Sequence, residues 1–245
     1  PFSALVPRSI SQHKFNEADT FLNKAKQIGL KTYDESALSF DVNFELGRYF
    51  LAANNLNKIR AADDYGYQFR LSKQEHYKGN LDSAVNAMLN AAKVAGNNPT
   101  LIAAALSNAA DLEVHEGKLQ DAYDLYKKSI ASYSSDLHSI MGIGWIALVH
   151  DKNDSLATKI FLVVKGKTKA PDPILNLSQA AELNGDTASM KKYANEFVEA
   201  TSNPLYGTMY NKYLVELYTS SLNDAGKAET VAKNEIANRA TPQTY

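Results

Sequence analysis

Three of the five histidines, His76, His115 and His150, stand two or three residues before Gly79, Gly117 and Lys152. Imidazoles recurring at that place could form a column able to bind acidic groups or a metal ion. A shared metal site is disfavoured on two counts. No two histidines have the i, i+4 spacing that puts both on one helical face. Rings on adjacent packed helices would also stand roughly 10 Å apart. A histidine near a helix C-terminus interacts favourably with the helix dipole without any ligand, so these residues predict no metal site.

Nucleophilic chemistry has less to work with. The chain has no Cys, no Gly-x-Ser-x-Gly elbow and no phosphate-cradling glycine loop. Gly142-Ile143-Gly144 falls inside a helical pattern just before Trp145, where absent side chains let a neighbouring helix approach. Asp63-Asp64 and Asp111 with Glu113 are carboxylate pairs. Such pairs on exposed helices are usually solvated, and glycoside hydrolysis needs two acids held across a substrate. The expectation is a chain without catalytic residues or cofactor.

The elements that would position any of these side chains are helical. Of the 245 residues, 44% are apolar and 22% charged, with 26 basic against 27 acidic for a net charge of −1. That is a soluble folded composition with no basic stripe, so nucleic acid is not an expected partner. No apolar run approaches the roughly 20 residues that a membrane-spanning helix needs. Absent cysteine leaves the compartment open.

The organising stretch is Leu106–Ile130, in which Gly117 breaks a first helix and Leu119, Ala122, Tyr126 and Ile130 mark a second at helical spacing. Equivalent turns at His13, Gly47, Gly79, Gly117, Lys152, Gly185 and Asn223 recur at intervals of 32 to 38 residues. Five residues after each turn stand Ala18, Ala52, Ala84, Ala122, Ala157, Met190 and Ala228, six alanines in seven. Four further on come Leu22, Leu56, Met88, Tyr126, Phe161, Ala194 and Ala232 on the same helical face. A small residue at the crossing and a large one beyond it make a stripe that one helix pair cannot bury alone. Gly29, Gly96 and Gly166 read as left-handed closing residues. Asn98-Pro99, Asp172-Pro173 and Asn203-Pro204 read as caps that open first helices, as do Asp136 and Thr187 without a proline. Pro7 should interrupt the opening helix and leave it frayed.

A turn Gly, then Ala, then an aromatic or Leu four later resembles the tetratricopeptide repeat, most strongly from Gly47 to Phe161 and more weakly after Asn184. The resemblance implies an all-α right-handed superhelix, an α-solenoid of about seven stacked helix-turn-helix pairs with incomplete ends. Residues 1–245 would form a single domain. Thr241-Pro242 restarts the cap grammar just before Tyr245, so further repeats are expected beyond it.

In such arrays the first helices line a concave groove. The resemblance places Phe69, Lys73, His76 and Tyr77 there, then Ser107, Asp111 and His115, then His150, Gln179, Tyr210 and Tyr213. Aromatics mixed with acids, amides and imidazoles suit an extended peptide or a helix laid in the groove. Some tetratricopeptide domains grip a terminal carboxylate with a Lys and Asn cluster. The corresponding column here, Asp41, Lys73, Asp111, Ile146, Gln179 and Leu217, has no Asn, and its acids favour a basic partner. The expected function is a non-catalytic scaffold that binds a protein or peptide segment. The alternative is a structural, self-associating module with no groove ligand.

Overall fold

All seven residues that the register marks as turns have a positive φ in the computed structural model, which describes residues 2–60 and 64–241. Gly47, Gly79, Gly117 and Gly185 adopt it without a Cβ penalty. His13, Lys152 and Asn223, at 53°, 54° and 52°, are the described non-glycine residues that do so. The reason is carbonyl satisfaction at the helix end. After five of the turns the next amide donates back to the same place on the preceding helix: Lys14 to Ser9, Arg48 to Asn43, Asn80 to Glu75, Lys118 to Glu113 and Asp186 to Ala181, at 2.8–2.9 Å. Asn153 and Asp224 reach one residue further, to Ala147 and Tyr218.

These turns join α1 (Phe2–Ser11) to α2 (Phe15–Ile28), α3 (Thr32–Glu45) to α4 (Tyr49–Lys58), α5 (Tyr65–Tyr77) to α6 (Leu81–Val94), and α7 (Pro99–Glu116) to α8 (Leu119–Ser132). They then join α9 (Leu137–Val149) to α10 (Asp154–Lys165), α11 (Asp172–Leu183) to α12 (Thr187–Thr201), and α13 (Asn211–Thr219) to α14 (Ala225–Asn238). The described residues are all-helical, with no strand, and consecutive helices pack as pairs. The alanines five after each turn are buried, Ala18, Ala84, Ala122 and Ala157 completely. A methyl there lets the paired backbones approach, and Ser72 Oγ donates across that gap to Ala84 O at 2.8 Å, as Ser178 does to Met190 O at 3.0 Å.

The glycines of α9 pack as their sequence position suggests. A Cβ on Gly142 would collide with the ring of Tyr126, and one on Gly144 would lie 2.7 Å from Phe161.

Several local expectations are corrected. α1 runs through Pro7 and buries Val6 and Ser9, so it is not frayed. Gly166 keeps a right-handed helical conformation at φ −70°. Asp172 is the first residue of α11 and makes no side-chain cap, and Asp186, not Thr187, accepts from Ser189 N at 3.0 Å. Asn203-Pro204 opens only one 3-10 turn, Pro204–Tyr206, and α13 begins at Asn211. Asp63 of the Asp63-Asp64 pair, and Pro242 and Tyr245 with the announced further helix, lie outside the described residues.

The chain divides into two compact units, one of residues 1–60 with 191–245 and one of 61–190. The first has a core of Val6, Ala18, Leu22 and Val42 and unites the two ends of the chain. Phe15 N donates to Asn238 Oδ1 at 3.3 Å, and Asn16 Nδ2 donates to the carbonyls of Ala237 and Asn238. Thr208 Oγ1 donates to His13 O and receives Asn238 Nδ2, both at 2.9 Å. Arg239 meets Glu45 at 3.1 Å with its guanidinium 5.0 Å from the Phe15 ring. The second unit is built on Ala84, Met88, Ala109, Ala110, Leu112, Ala122, Tyr126 and Ile146.

Candidate functional site

The site is organised by α7. Asn98 starts it, its side chain accepting from Leu101 N at 3.2 Å, and Gly117 ends it with φ 80°. Between them Ala104, Ser107, Asn108, Asp111 and His115 share one face by helical periodicity. On either side of this row lies a depression in the second unit. One, of about 300 Å³, is lined by Phe69, Lys73 and His76 from α5, by Met88, and by Asn108, Asp111, Leu112 and His115. The other, of about 330 Å³, is lined by Ala104, Ser107, Asn108 and Asp111 with Tyr133, Asp136 and His138. Asn108 and Asp111 belong to both, so the two depressions adjoin along α7.

Asp111 is held from two directions. Tyr126 Oη donates to its Oδ1 at 2.6 Å, and His138 Nε2 lies 2.8 Å from Oδ2 and 3.0 Å from Oδ1. A carboxylate only accepts, which assigns the proton on His138 to Nε2. The hydrogen bond to Asp111 raises the imidazole pKa of His138 above its ordinary value, against the smaller opposing effect of partial desolvation. Burial and the neighbouring negative charge push the Tyr126 hydroxyl up, keeping it a donor. Tyr126 is in turn set by the ring's contact with Gly142. The side chain expected to serve packing alone therefore also orients the Asp111 carboxylate that lines both depressions. Asp136 is satisfied internally, accepting from Ser129 Oγ at 2.5 Å and Ser139 Oγ at 2.6 Å while it caps α9.

The expected histidine column is broken, yet two of its members meet. His115 Nδ1 lies 3.2 Å from His76 Nε2, with ring centroids 5.1 Å apart. The expected separation assumed side chains pointing parallel from two axes; here both lean into the space between α5 and α7. Partial desolvation against the neighbouring helix, and then the charge of His115, lower the His76 pKa, favouring the neutral ring. His150 is elsewhere, bonded to Asp151 at 2.8 Å and lining a separate cavity of about 480 Å³ with Lys118, Tyr123 and Ile146.

The remaining expected groove residues divide. Ser107 is buried, its hydroxyl returned to Ala104 O at 3.1 Å, and lines the second depression. Tyr77 is 45% exposed at the end of α5 and lines neither depression. Gln179 is half-buried on α11 and also lines neither. Tyr210 is a core side chain of the first unit, edge-on to Phe197 at 5.4 Å, and Tyr213 is exposed on α13 of that unit. Asp111 and Glu113 form no carboxylate pair across a site: Glu113 is buried near Lys118 at 4.0 Å, and burial raises its pKa. Missed in the sequence were Asn108, one turn before Asp111 on the same face, and His138, two residues past the cap Asp136. The spacing of Asn108 was a usable signal; the reach of His138 across to α7 had none.

Among solved structures, the chain is similar to PilF from Pseudomonas aeruginosa at a TM-score of 0.59 and 12% identity, over 86% of this chain and 96% of that one. It is similar to the Cut9–Hcn1 assembly of the APC/C at 0.66 and 13%, over 98% of this chain and 46% of that one. The C-terminal part of a TPR repeat-containing protein from Cytophaga hutchinsonii matches at 0.51 and 18%, over 99% and 97%. The fold is that of a tetratricopeptide-repeat array. No protein-family model and no curated protein sequence matches the chain. At these identities the tetratricopeptide likeness describes the fold alone. Among the described residues no helix is long and apolar enough to cross a membrane.

Proposed function

We propose that this tetratricopeptide array is a non-catalytic scaffold that holds a peptide or protein segment along α7, in the two adjoining depressions of its second unit. The observation that carries the reading is the shared row of Asn108 and Asp111, with Phe69, Met88 and Leu112 on one side and His138 on the other. An extended segment presents amides and alternating side chains. Asn108 and Asp111 supply polar partners for the former, and the apolar walls receive the latter. The Asp111 carboxyl, which accepts from Tyr126 and meets His138, favours a segment with a basic or amide donor at the midpoint.

The test begins with a random peptide display library selected on the folded chain, followed by calorimetric titration of the selected peptides. Binding should weaken about tenfold or more in Asn108→Ala and Phe69→Ala, and stay unchanged in His150→Ala. Peptides whose affinity is indifferent to both groove variants, or a chain that only self-associates with concentration, would overturn the proposal.

A further inference from the structure

We propose that His76 and His115 form a binding site for an imidazole-seeking divalent cation, of the Zn²⁺ and Cu²⁺ class. The site stands independently of whether a peptide occupies the depression.

The geometry is that of a chelating pair from two helices. His76 is contributed by α5 and His115 by α7, and both are near the C-terminal ends of their helices. The contact nitrogens, His76 Nε2 and His115 Nδ1, are 3.2 Å apart. Two nitrogens at that separation, each bonded to one cation at about 2.0–2.1 Å, subtend roughly 100° at the metal. That lies between the square and tetrahedral values. The rings are inclined at 28° and exposed, so a modest rotation about Cβ–Cγ turns both lone pairs toward a common point.

In the metal-free pair one of these nitrogens carries the proton that links it to the other. Coordination needs both lone pairs, so that proton moves to the far nitrogen of its own ring. The two neutral imidazoles then become two neutral ligands with no net loss of a proton. Among the described residues no third His, Cys, Asp or Glu joins them, so water completes the shell. An open, two-nitrogen site excludes the oxygen-seeking cations Mg²⁺ and Ca²⁺ and selects for the borderline first-row metals. A bound cation ties α5 to α7, two successive first helices, and stabilises the second unit by linkage.

The experiment is calorimetric titration of tag-free, chelator-treated protein with ZnCl₂, with MgCl₂ as the hard-cation control and melting followed in parallel by circular dichroism. One saturable Zn²⁺ per chain is expected, with a higher melting temperature in its presence and no effect of Mg²⁺. His76→Ala and His115→Ala should each weaken binding about tenfold or more and abolish the Zn²⁺-dependent rise in melting temperature. Both should retain helical circular dichroism, because the rings are exposed, and His150→Ala should bind like the parent. A parent chain without a saturable Zn²⁺ site would overturn the proposal. So would binding that persists unchanged in the His76→Ala, His115→Ala double variant.

Discussion

The two units use one repeat grammar and spend their polar groups differently. In the unit that unites the chain ends, polar side chains are turned against the backbone of another repeat: Asn16 and Asn238 bond main-chain groups, and Thr208 bonds the carbonyl of the His13 turn. In the central unit Asp111 is held by Tyr126 and His138 with Asn108 beside it, along two open depressions. The same helix-pair grammar thus serves cohesion in one place, through the second helices α2 and α14, and presentation in the other, through the first helix α7. What separates them is whether a face is covered by a distant part of the chain, which no single repeat decides.

The sharpest way to break this contrast is Gly142→Ala. The added methyl displaces the Tyr126 ring in a filled core, at a cost of about 1–3 kcal/mol. Chemical denaturation should show that loss, and a selected peptide should bind more weakly, because Asp111 loses its support. Next is Asn238→Ala in the other unit. It leaves Phe15 N without its acceptor and should cost about 1–2 kcal/mol in the same assay, with peptide affinity unaltered. If Asn238→Ala changed affinity as Gly142→Ala does, the division between cohesive and presenting units would not hold.

Tyr126→Phe is milder. It keeps the packing and removes only the hydroxyl that meets Asp111, for a loss of about 1 kcal/mol. His138→Asn should have the smallest effect, within about 1 kcal/mol because the ring is half exposed to solvent, and it should depend on pH. The raised imidazole pKa means that the protonated ring is favoured in the folded state. Its contribution is full below the ordinary value near 6.5 and fades as pH rises through the raised one. Parent and variant stabilities, measured from pH 5 to 9, should therefore converge at the alkaline end; a gap that widened there would assign His138 a different partner.

Local periodicity made the repeats legible. All seven turns that the register marks have a positive φ, including His13, Lys152 and Asn223, where no glycine advertised one, whereas Gly207, at φ 56°, lies outside it. It also identified the alanines at the helix crossings and the close packing beside Gly142 and Gly144. It was less informative wherever a side chain reaches beyond its own helix. Tyr126 occupies a packing position by spacing, and only its length carries the hydroxyl to Asp111 on the partner helix. His76 and His115 meet because both lean into one gap, an orientation that residue counting cannot supply. The contacts of Phe15 and Asn16 with residues over 220 positions away join the two ends of the chain within one unit, and no local spacing announces a partner so distant in sequence.

Hydrogen exchange of the full chain, with and without a saturating library-selected peptide, decides whether α7 carries the binding face. Added protection should fall on α5, α7 and the start of α9, leaving α2 and α14 at their unliganded rates. Protection confined to α2 and α14, or absent from α7, would contradict the assignment of the binding face.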